Sequence, residues 1–232
     1  MKINLSHINF EGGALTDANF TETIFDYANL KRCDMSRSIL DCVHMHNGLA
    51  QSINFESARG IKGNFCNTNL VSANFRNASF SHAEFQNCNM QNANLMGSVF
   101  QKAKLIGCDM SGAILINADL RESDLTQTNL QGAILTGALL DGATLTEAIL
   151  VDTVISDSQL NEAYSILNIV VHDIVEDKSQ MKDDERIAIQ LYMDVDLLER
   201  LKCEASYFKI NINELSVNGL SKYLNLLEDK LI

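Results

Sequence analysis

Large apolar residues recur at every fifth position over the first two thirds of the chain. A strand places every second side chain on one face, and an α-helix repeats every 3.6 residues, so a period of five fits neither element. The backbone must turn at fixed intervals, which indicates a solenoid of short repeats. The stretch HAEFQNCNMQNANLMGSVFQKAKL shows the period at Phe85, Met90, Leu95, Phe100 and Leu105.

The same phase extends from Leu5 to Leu160, and every Phe except Phe208 lies on it. We call these the large positions, with numbers that end in 5 or 0; Ala50 and Gly60 are the exceptions among them. The small positions lie two residues earlier and hold mostly Ala, Ser, Cys or Thr, with Asn or Asp often between the two. The unit therefore reads small residue, Asn or Asp, Leu or Phe, and two polar residues.

Four such units can form the four sides of a square coil of 20 residues, with the large and small residues pointing inward. Asn and Asp are expected to bond to nearby backbone at the bends. Roughly eight coils at the ~4.8 Å spacing of strands make a rod on the order of 40 Å long. A bent or loosened coil is expected over residues 44–63, where Ala50 and Gly60 are not large and Ile53 occupies a small position.

This pattern resembles the pentapeptide-repeat family, whose motif A(D/N)LXX is matched by ANLMG, ADLRE and TNLQG. The resemblance covers about residues 3–160 and implies a mainly β fold, a right-handed quadrilateral β-helix, for residues 1–160. Several acidic, dimeric members of the family resemble a DNA duplex in width and charge. Those members bind DNA gyrase or topoisomerase IV and protect it from toxins or quinolones, so the resemblance implies a non-enzymatic function through a protein partner.

The five-residue period stops after Leu160. Residues 161–185 are interpreted as a cap for the end of the solenoid followed by a charged linker, EDKSQMKDDE. Residues 186–232 predict a strand and two helices, an α-rich module too small to bury its own core, so we expect a homodimer. This module is similar to a ribbon-helix-helix domain, most clearly in NINEL, where its second helix begins.

The ribbon-helix-helix resemblance implies two sets of contact residues. In DNA-binding members, the strand reads bases and the start of the second helix holds phosphate. Residues 161–232 contain 8 Lys and Arg against 14 Asp and Glu, so dimerisation is favoured over DNA binding. Possible DNA contacts fall by position on Arg186, Gln190, Asn211 and Asn213. The apolar positions assigned to dimerisation are Ile187, Ile189, Leu191, Leu198, Leu201, Leu220 and Leu224.

Composition excludes several classes of function. The net charge of −12 argues against non-specific binding of DNA or anionic lipid, which needs a basic surface. No stretch approaches the ~18 apolar residues of a membrane span. Six Cys without a CxxC pair, and no secretory leader, favour reduced thiols and a cytoplasmic location. Phosphate-loop, zinc-protease and hydrolase-nucleophile motifs are missing, so no enzyme activity, cofactor or metal is predicted.

Two groups of possible ligands have alternative interpretations. His44 and His46, with Cys42 nearby, lack a third or fourth metal ligand, and a surface pair is favoured over a metal site. Cys88 and Cys108 lie 20 residues apart at small positions and are expected to stack in adjacent coils. Reduced inward thiols are favoured over a disulfide there.

Asp119, Glu122, Asp124 and Asp141 are expected to cluster at one corner of the rod. They are either part of a solvated face, because Arg121 should lie over Asp141, or an acidic recognition patch. The favoured function is an acidic DNA-mimic rod that binds a DNA-handling enzyme such as DNA gyrase or topoisomerase IV. The alternatives are a ribbon-helix-helix transcriptional regulator with pentapeptide-repeat arms, and a general interaction scaffold.

Overall fold

The structure, a computed structural model, describes residues 2–156 together with Gln159 and Ala163. These residues form a continuous parallel coil in which each unit contributes one bridging residue rather than a long strand. The 27 bridges run from Asn4↔Ile24 to Ile134↔Val154, and each joins residues 20 apart. The predicted coil of four five-residue units is therefore confirmed.

We number the four sides in chain order. The first side begins with residues 3–7, the second with 8–12, the third with 13–17 and the fourth with 18–22, and each recurs every 20 residues. In each unit the bridge position, with a number ending in 4 or 9, lies between the small and the large position. It points outward, since the residues on either side of it are buried.

Backbone hydrogen bonds hold consecutive coils together in a repeating pattern. The amide of Leu105 donates to the carbonyl of Asp124 in the next coil at 2.7 Å, and the amide of Asp124 donates to Ala103 in the preceding coil at 2.9 Å. The turn is closed by the amide of Cys108, which donates to Leu105 O at 3.1 Å. Equivalent bonds recur along the rod, so both backbone groups of each bridging residue bond to the preceding coil, and the residues on either side of it bond to the next coil.

Every corner is a turn whose third residue has a positive φ, as in a type II turn. This holds at all 30 corners from His7 to Asp152, and only seven of these residues are glycine. Asn and Asp at the bridge position support the turn, because their side-chain oxygen accepts a hydrogen bond from the amide two residues later. The bond from Met96 N to Asn94 Oδ1 is 3.1 Å long, as is the bond from Thr126 N to Asp124 Oδ1.

The core lies on the axis of the rod and consists of the large and small positions. The large positions from Phe25 to Ile155 are buried, and phenylalanines stack through the middle of the rod. Phe65 and Phe85, one coil apart, have parallel rings with centroids 4.7 Å apart. Leu5 and Phe10, in the first coil, are only partly buried.

The expectation of a bent or loosened coil over residues 44–63 is wrong. Bridges and turns continue through it without interruption, and Ala50 and Ile53 are fully buried. The space beside Gly60 is filled by the Phe80 ring from the next coil, which comes so close that a Cβ on Gly60 would lie 2.3 Å from Phe80 Cε1. Larger neighbours thus compensate for the missing side chains and keep the coil regular.

The last described coil is closed by Gln159, which is buried although polar. Its side-chain nitrogen donates to the carbonyls of Leu135 at 2.7 Å and Ala138 at 2.8 Å. Its side-chain oxygen accepts the amide of Ser156 at 3.0 Å. Ala163 also packs against the core. The predicted cap and linker, 161–185, lies outside the described residues except for Ala163, as does all of 186–232.

Candidate protein-interaction surface

The possible ligand groups in the first 156 residues do not converge on a reaction centre. No set of three or more His, Cys, Asp or Glu in the described chain is arranged to bind a metal ion. The rings of His44 and His46 meet edge to face with centroids 5.9 Å apart. His46 Nδ1 lies 3.9 Å from a carboxylate oxygen of Asp26. These histidines lie on the outside of the first side and are partly accessible.

Cys88 and Cys108 are buried free thiols stacked in adjacent coils of the second side. Each thiol donates to a backbone carbonyl, Cys88 to Phe65 O at 2.9 Å and Cys108 to Phe85 O at 2.8 Å. Burial raises the pKa of the Cys88 thiol well above its ordinary value. The protonated thiol is therefore a structural hydrogen-bond donor rather than a nucleophile.

The four acidic residues of the predicted patch lie on two neighbouring sides of the rod. Asp119, Glu122 and Asp141 are on the fourth side, and Asp124 follows on the first side, immediately around the corner. Glu122 is well exposed, with 63% of its side-chain surface accessible. The 20-residue register thus brings the four acids to one corner, as their spacing predicts.

Asp119 is held in place by its own unit and by the coil below. Arg121 donates twice to its carboxylate, at 2.9 and 2.7 Å, and Gln101 Nε2 donates at 2.5 Å. The hydrogen bonds from Arg121 lower the pKa of Asp119 despite its partial burial. Arg121 shares a column with Asp141, as expected, but its guanidinium turns to Asp119 within the same unit.

Two lysines that the sequence reasoning missed lie within this corner. Lys102 lies one coil below Glu122 by register, and its Nζ is 3.3 Å from a carboxylate oxygen of Glu122. Lys104 bridges Asp124 in the next coil, and its Nζ lies 2.8 Å from a carboxylate oxygen of Glu84 in the preceding coil. The 20-residue spacing was the signal that could have found both lysines.

The corner is therefore mixed in charge, with an acidic excess. Its acids are Glu84, Asp119, Glu122, Asp124 and Asp141, against Lys102, Lys104 and Arg121, which leaves an excess of two negative charges. Along the whole rod the first side has the largest excess, with four acids and one lysine between residues 3 and 147: Asp26, Glu84, Asp124, Glu147 and Lys104. Among residues 3–156 each other side has an excess of one acid, and Asp157 follows in the last unit of the third side.

The residues assigned to the C-terminal module lie outside the described residues. These are the dimerisation positions Ile187, Ile189, Leu191, Leu198, Leu201, Leu220 and Leu224, and the alternative DNA contacts Arg186, Gln190, Asn211 and Asn213. Both assignments remain predictions. No helix within the described part of the chain has the length and apolar character of a membrane span.

The fold and its surface define a class of protein: a parallel β-helical rod with four sides, five residues per side and polar outer faces. The sequence profile of the pentapeptide repeats (8 copies) matches residues 3–41, 64–97, 93–132 and 123–161. The chain therefore belongs to the pentapeptide-repeat family. The profile does not match residues 42–63, yet the coil is regular there.

Solved structures of similar fold come from proteins of low sequence identity. Trypsin-treated QnrB1, a plasmid-mediated fluoroquinolone resistance protein, is 19% identical with a TM-score of 0.52, covering 87% of this chain and 96% of that one. HetL, a pentapeptide repeat protein involved in heterocyst differentiation regulation from the cyanobacterium Nostoc sp. strain PCC 7120, is 21% identical with a TM-score of 0.36, covering 73% and 92%. Rfr23, from the cyanobacterium Cyanothece 51142, is 24% identical with a TM-score of 0.29, covering 66% and 91%.

The likeness to trypsin-treated QnrB1 supports the fold alone. No curated protein sequence matches the chain at a significant level.

Proposed function

We propose that this protein is a non-enzymatic binding protein whose acidic rod occupies a DNA-binding groove of DNA gyrase or topoisomerase IV. The observation that carries the proposal is the placement of hydrogen-bonded carboxylates at multiples of the coil spacing along an uninterrupted coil. Turns recur every five residues from His7 to Asp152, so no loop interrupts this part of the rod. Acids on one side recur at multiples of the ~4.8 Å coil spacing, as charges on a duplex mimic must recur at a fixed rise.

The carboxylates at bridge positions are held more rigidly than ordinary surface acids. Asp109 accepts hydrogen bonds from Ser111 N at 3.1 Å, Gln91 Nε2 at 2.5 Å and Asn129 Nδ2 at 3.2 Å. Burial acts to raise its pKa, but these hydrogen bonds outweigh burial and lower it. Asp109 and Asp119 are thus ionised at neutral pH and presented in fixed positions, which reduces the entropy lost on binding.

The partner surface should be basic, and the attraction should depend on salt. The chain has a net charge of −12, and the rod contributes an acidic excess on each of its sides. A basic groove that accepts DNA would attract such a rod, and binding would weaken as salt screens the exposed acids. We assign the central contact to Glu122 and Asp124, which flank the corner between the fourth and first sides.

The test is a gyrase supercoiling assay with the full-length protein and a Glu122→Lys, Asp124→Lys double variant. The wild-type protein should inhibit supercoiling at micromolar concentration. The double variant should need at least about tenfold more protein for the same inhibition, because two attractive charges become repulsive. Both positions point outward, so the circular-dichroism spectrum and melt should stay close to wild type.

Glu22→Lys is the matched control. Glu22 lies on the fourth side in the same turn position as Glu122, five coils away, and has the same positive φ. This variant should keep wild-type inhibition if the corner around Glu122 makes the contact. No effect of the wild-type protein at tens of micromolar, with or without a quinolone, would remove the gyrase proposal. Equal loss in Glu22→Lys would instead show that only total charge matters.

A further inference from the structure

The third side of the rod changes character halfway along its length. Its early units contain Asp17, Asp34, Arg37, Glu56 and Arg76. From residue 93 onward, the units 93–97, 113–117 and 133–137 have no charged residue or histidine, and the unit 153–157 has one, Asp157 at its last position. In a chain with a net charge of −12, three consecutive coils without a charge on one side require an explanation.

This part of the third side presents apolar side chains outward. Ile114, Ile134 and Val154 form consecutive parallel bridges, and each remains partly accessible. Met96 and Ile116 point outward from the adjoining turns and are also partly accessible. We call these five residues the apolar stripe.

Glycines occupy two corners of the stripe. Gly97 and Gly137 hold the third positions of two of its turns, with φ of +65° and +70°, and the side-chain oxygens of Asn77 and Asn117 from the preceding coil lie against them. A surface of outward apolar side chains with neutral neighbours suits another apolar segment better than a nucleic acid or a charged ligand.

The chain leaves the coil beside this stripe. Val154 is the last bridging residue of the structure and also the last residue of the stripe. Beyond the last bridge, Gln159 bonds to Leu135 O on the third side and to Ala138 O on the fourth. Ala163 packs against the core, so the chain is still in contact with the rod where the described residues end.

The following segment matches the stripe in chemistry and reach. Residues 164–175, YSILNIVVHDIV, are mostly apolar and contain one charged residue, Asp173. The stripe extends over three coil steps, about 14 Å at the ~4.8 Å spacing. Twelve residues cover at least about 18 Å even as a helix, at ~1.5 Å per residue.

The size of the stripe argues against a second copy as its occupant. Four units of one narrow side expose on the order of 200 Å², judged from strand spacing and length. A stable dimer buries about 800 Å² on each partner. A segment of the same chain needs less contact area, because its effective concentration beside the stripe is in the millimolar range.

We infer that residues 164–175 fold back from the end of the rod and pack on the apolar stripe of the third side. This docking anchors the start of the C-terminal part to one side of the rod, and it leaves the acidic corner of the fourth and first sides uncovered. It is independent of the gyrase proposal, because it concerns the apolar stripe of the third side and not the acids of the fourth and first sides.

Hydrogen exchange of the full-length protein, read by mass spectrometry, tests the inference. Peptides that cover 164–175 should be protected in the wild-type protein. Ile134→Lys should raise their exchange rate at least about tenfold, because a lysine in the middle of the stripe disrupts an apolar contact. Peptides from the rod, such as those around residues 80–110, should keep their protection and so report that the coil is intact.

Ile149→Lys is the matched control, because Ile149 is also a partly accessible bridging residue but lies on the second side. It should leave the protection of 164–175 unchanged. Ile134→Ser is a milder second variant, expected to raise exchange by a smaller factor than lysine.

Three results would overturn the inference: no protection of 164–175 in the wild type, full protection in a folded Ile134→Ser or Ile134→Lys variant, or protection that disappears on dilution. The last result would assign the stripe to a second copy of the chain.

Discussion

Gly60 sits at a large position, and its replacement distinguishes the five-residue pattern from the packing of the structure. The pattern alone predicts that Gly60→Leu restores a missing core residue and stabilises the rod. The structure predicts the opposite. A Cβ at Gly60 would lie 2.3 Å from Cε1 and 2.6 Å from Cδ1 of Phe80, far inside van der Waals contact. The Phe80 ring would have to retreat by more than about 1 Å to reach an ordinary contact distance.

The Phe80 ring has little room to move. It is fully buried, and its centroid lies 5.2 to 5.8 Å from the ring centroids of Phe55, Phe65, Phe75, Phe85 and Phe100. Overpacking a core of this kind costs about 1–3 kcal/mol. Gly60 has no positive φ, so its backbone conformation is one that alanine can adopt. Alanine lowers the conformational entropy of the unfolded chain, which offsets up to about 1 kcal/mol of this packing cost. We expect Gly60→Ala to destabilise the rod by about 2 kcal/mol, at the upper end of the packing cost, and Gly60→Leu by more.

The measurement is thermal and urea denaturation followed by circular dichroism. For a rod of this size, about 2 kcal/mol corresponds to a fall in Tm of roughly 4–8 °C. Phe80→Leu provides the internal control, since it removes the ring atoms that meet the new Cβ. The double variant Gly60→Ala, Phe80→Leu should be more stable than the sum of the two single effects predicts. A Gly60→Leu protein that melts at or above the wild-type temperature would refute the reasoning.

Four further perturbations test other parts of the structure. Leu105→Asp places an unpaired carboxylate in the dry axis and should cost several kcal/mol, so a circular-dichroism melt indistinguishable from wild type would contradict the register. Gly132→Ala has open space around the new Cβ but a φ of +65°, so it should cost about 1 kcal/mol in urea denaturation, and Gly132→Asn should cost less. Asp119 has a folded-state pKa lowered by Arg121, so its contribution is present above the ordinary carboxyl pKa and lost as pH falls through the lowered value. Asp119→Asn should therefore reduce stability at pH 7, and the difference should begin to shrink near pH 3.8 and vanish only below the lowered pKa; a gap that widens in acid would contradict the linkage. Deletion of 186–232 should convert a dimer into a folded monomeric rod, and light scattering that finds the intact protein monomeric at micromolar concentration would disprove the dimer.

The positive φ at every corner could not be read from the residue types. Gly and Asn favour this conformation, but it is also adopted by Tyr27, Arg32 and Lys62, which do not. The parallel hydrogen bonds of the coils above and below impose the turn on whatever residue occupies the third position. The preference of a single residue for negative φ is weak compared with the hydrogen bonds to two neighbouring coils. The sequence therefore located the corners but did not predict their backbone conformation.

The acidic corner also combines contacts that the sequence predicted with contacts that it did not. The 20-residue register was sufficient to bring Asp119, Glu122, Asp124 and Asp141 together, and it was also sufficient to place Lys102 beneath Glu122. The sequence did not predict that Arg121 would bind Asp119 in its own unit instead of Asp141 in the next coil. That contact depends on side-chain torsions and on Gln101 from the coil below, which also binds Asp119.

The sequence by itself determined the unit, the number of units in a coil and the identity of the core, because one phase of large and small residues runs through about 155 residues and only a square coil buries both sets. Only the tertiary structure decided how the irregular places are filled. Gly60 leaves a core position of its own unit empty, and the ring of Phe80, 20 residues later, fills that space. Packing density is a property of several coils together, so a defect in one unit can be corrected by a side chain that the local pattern assigns elsewhere.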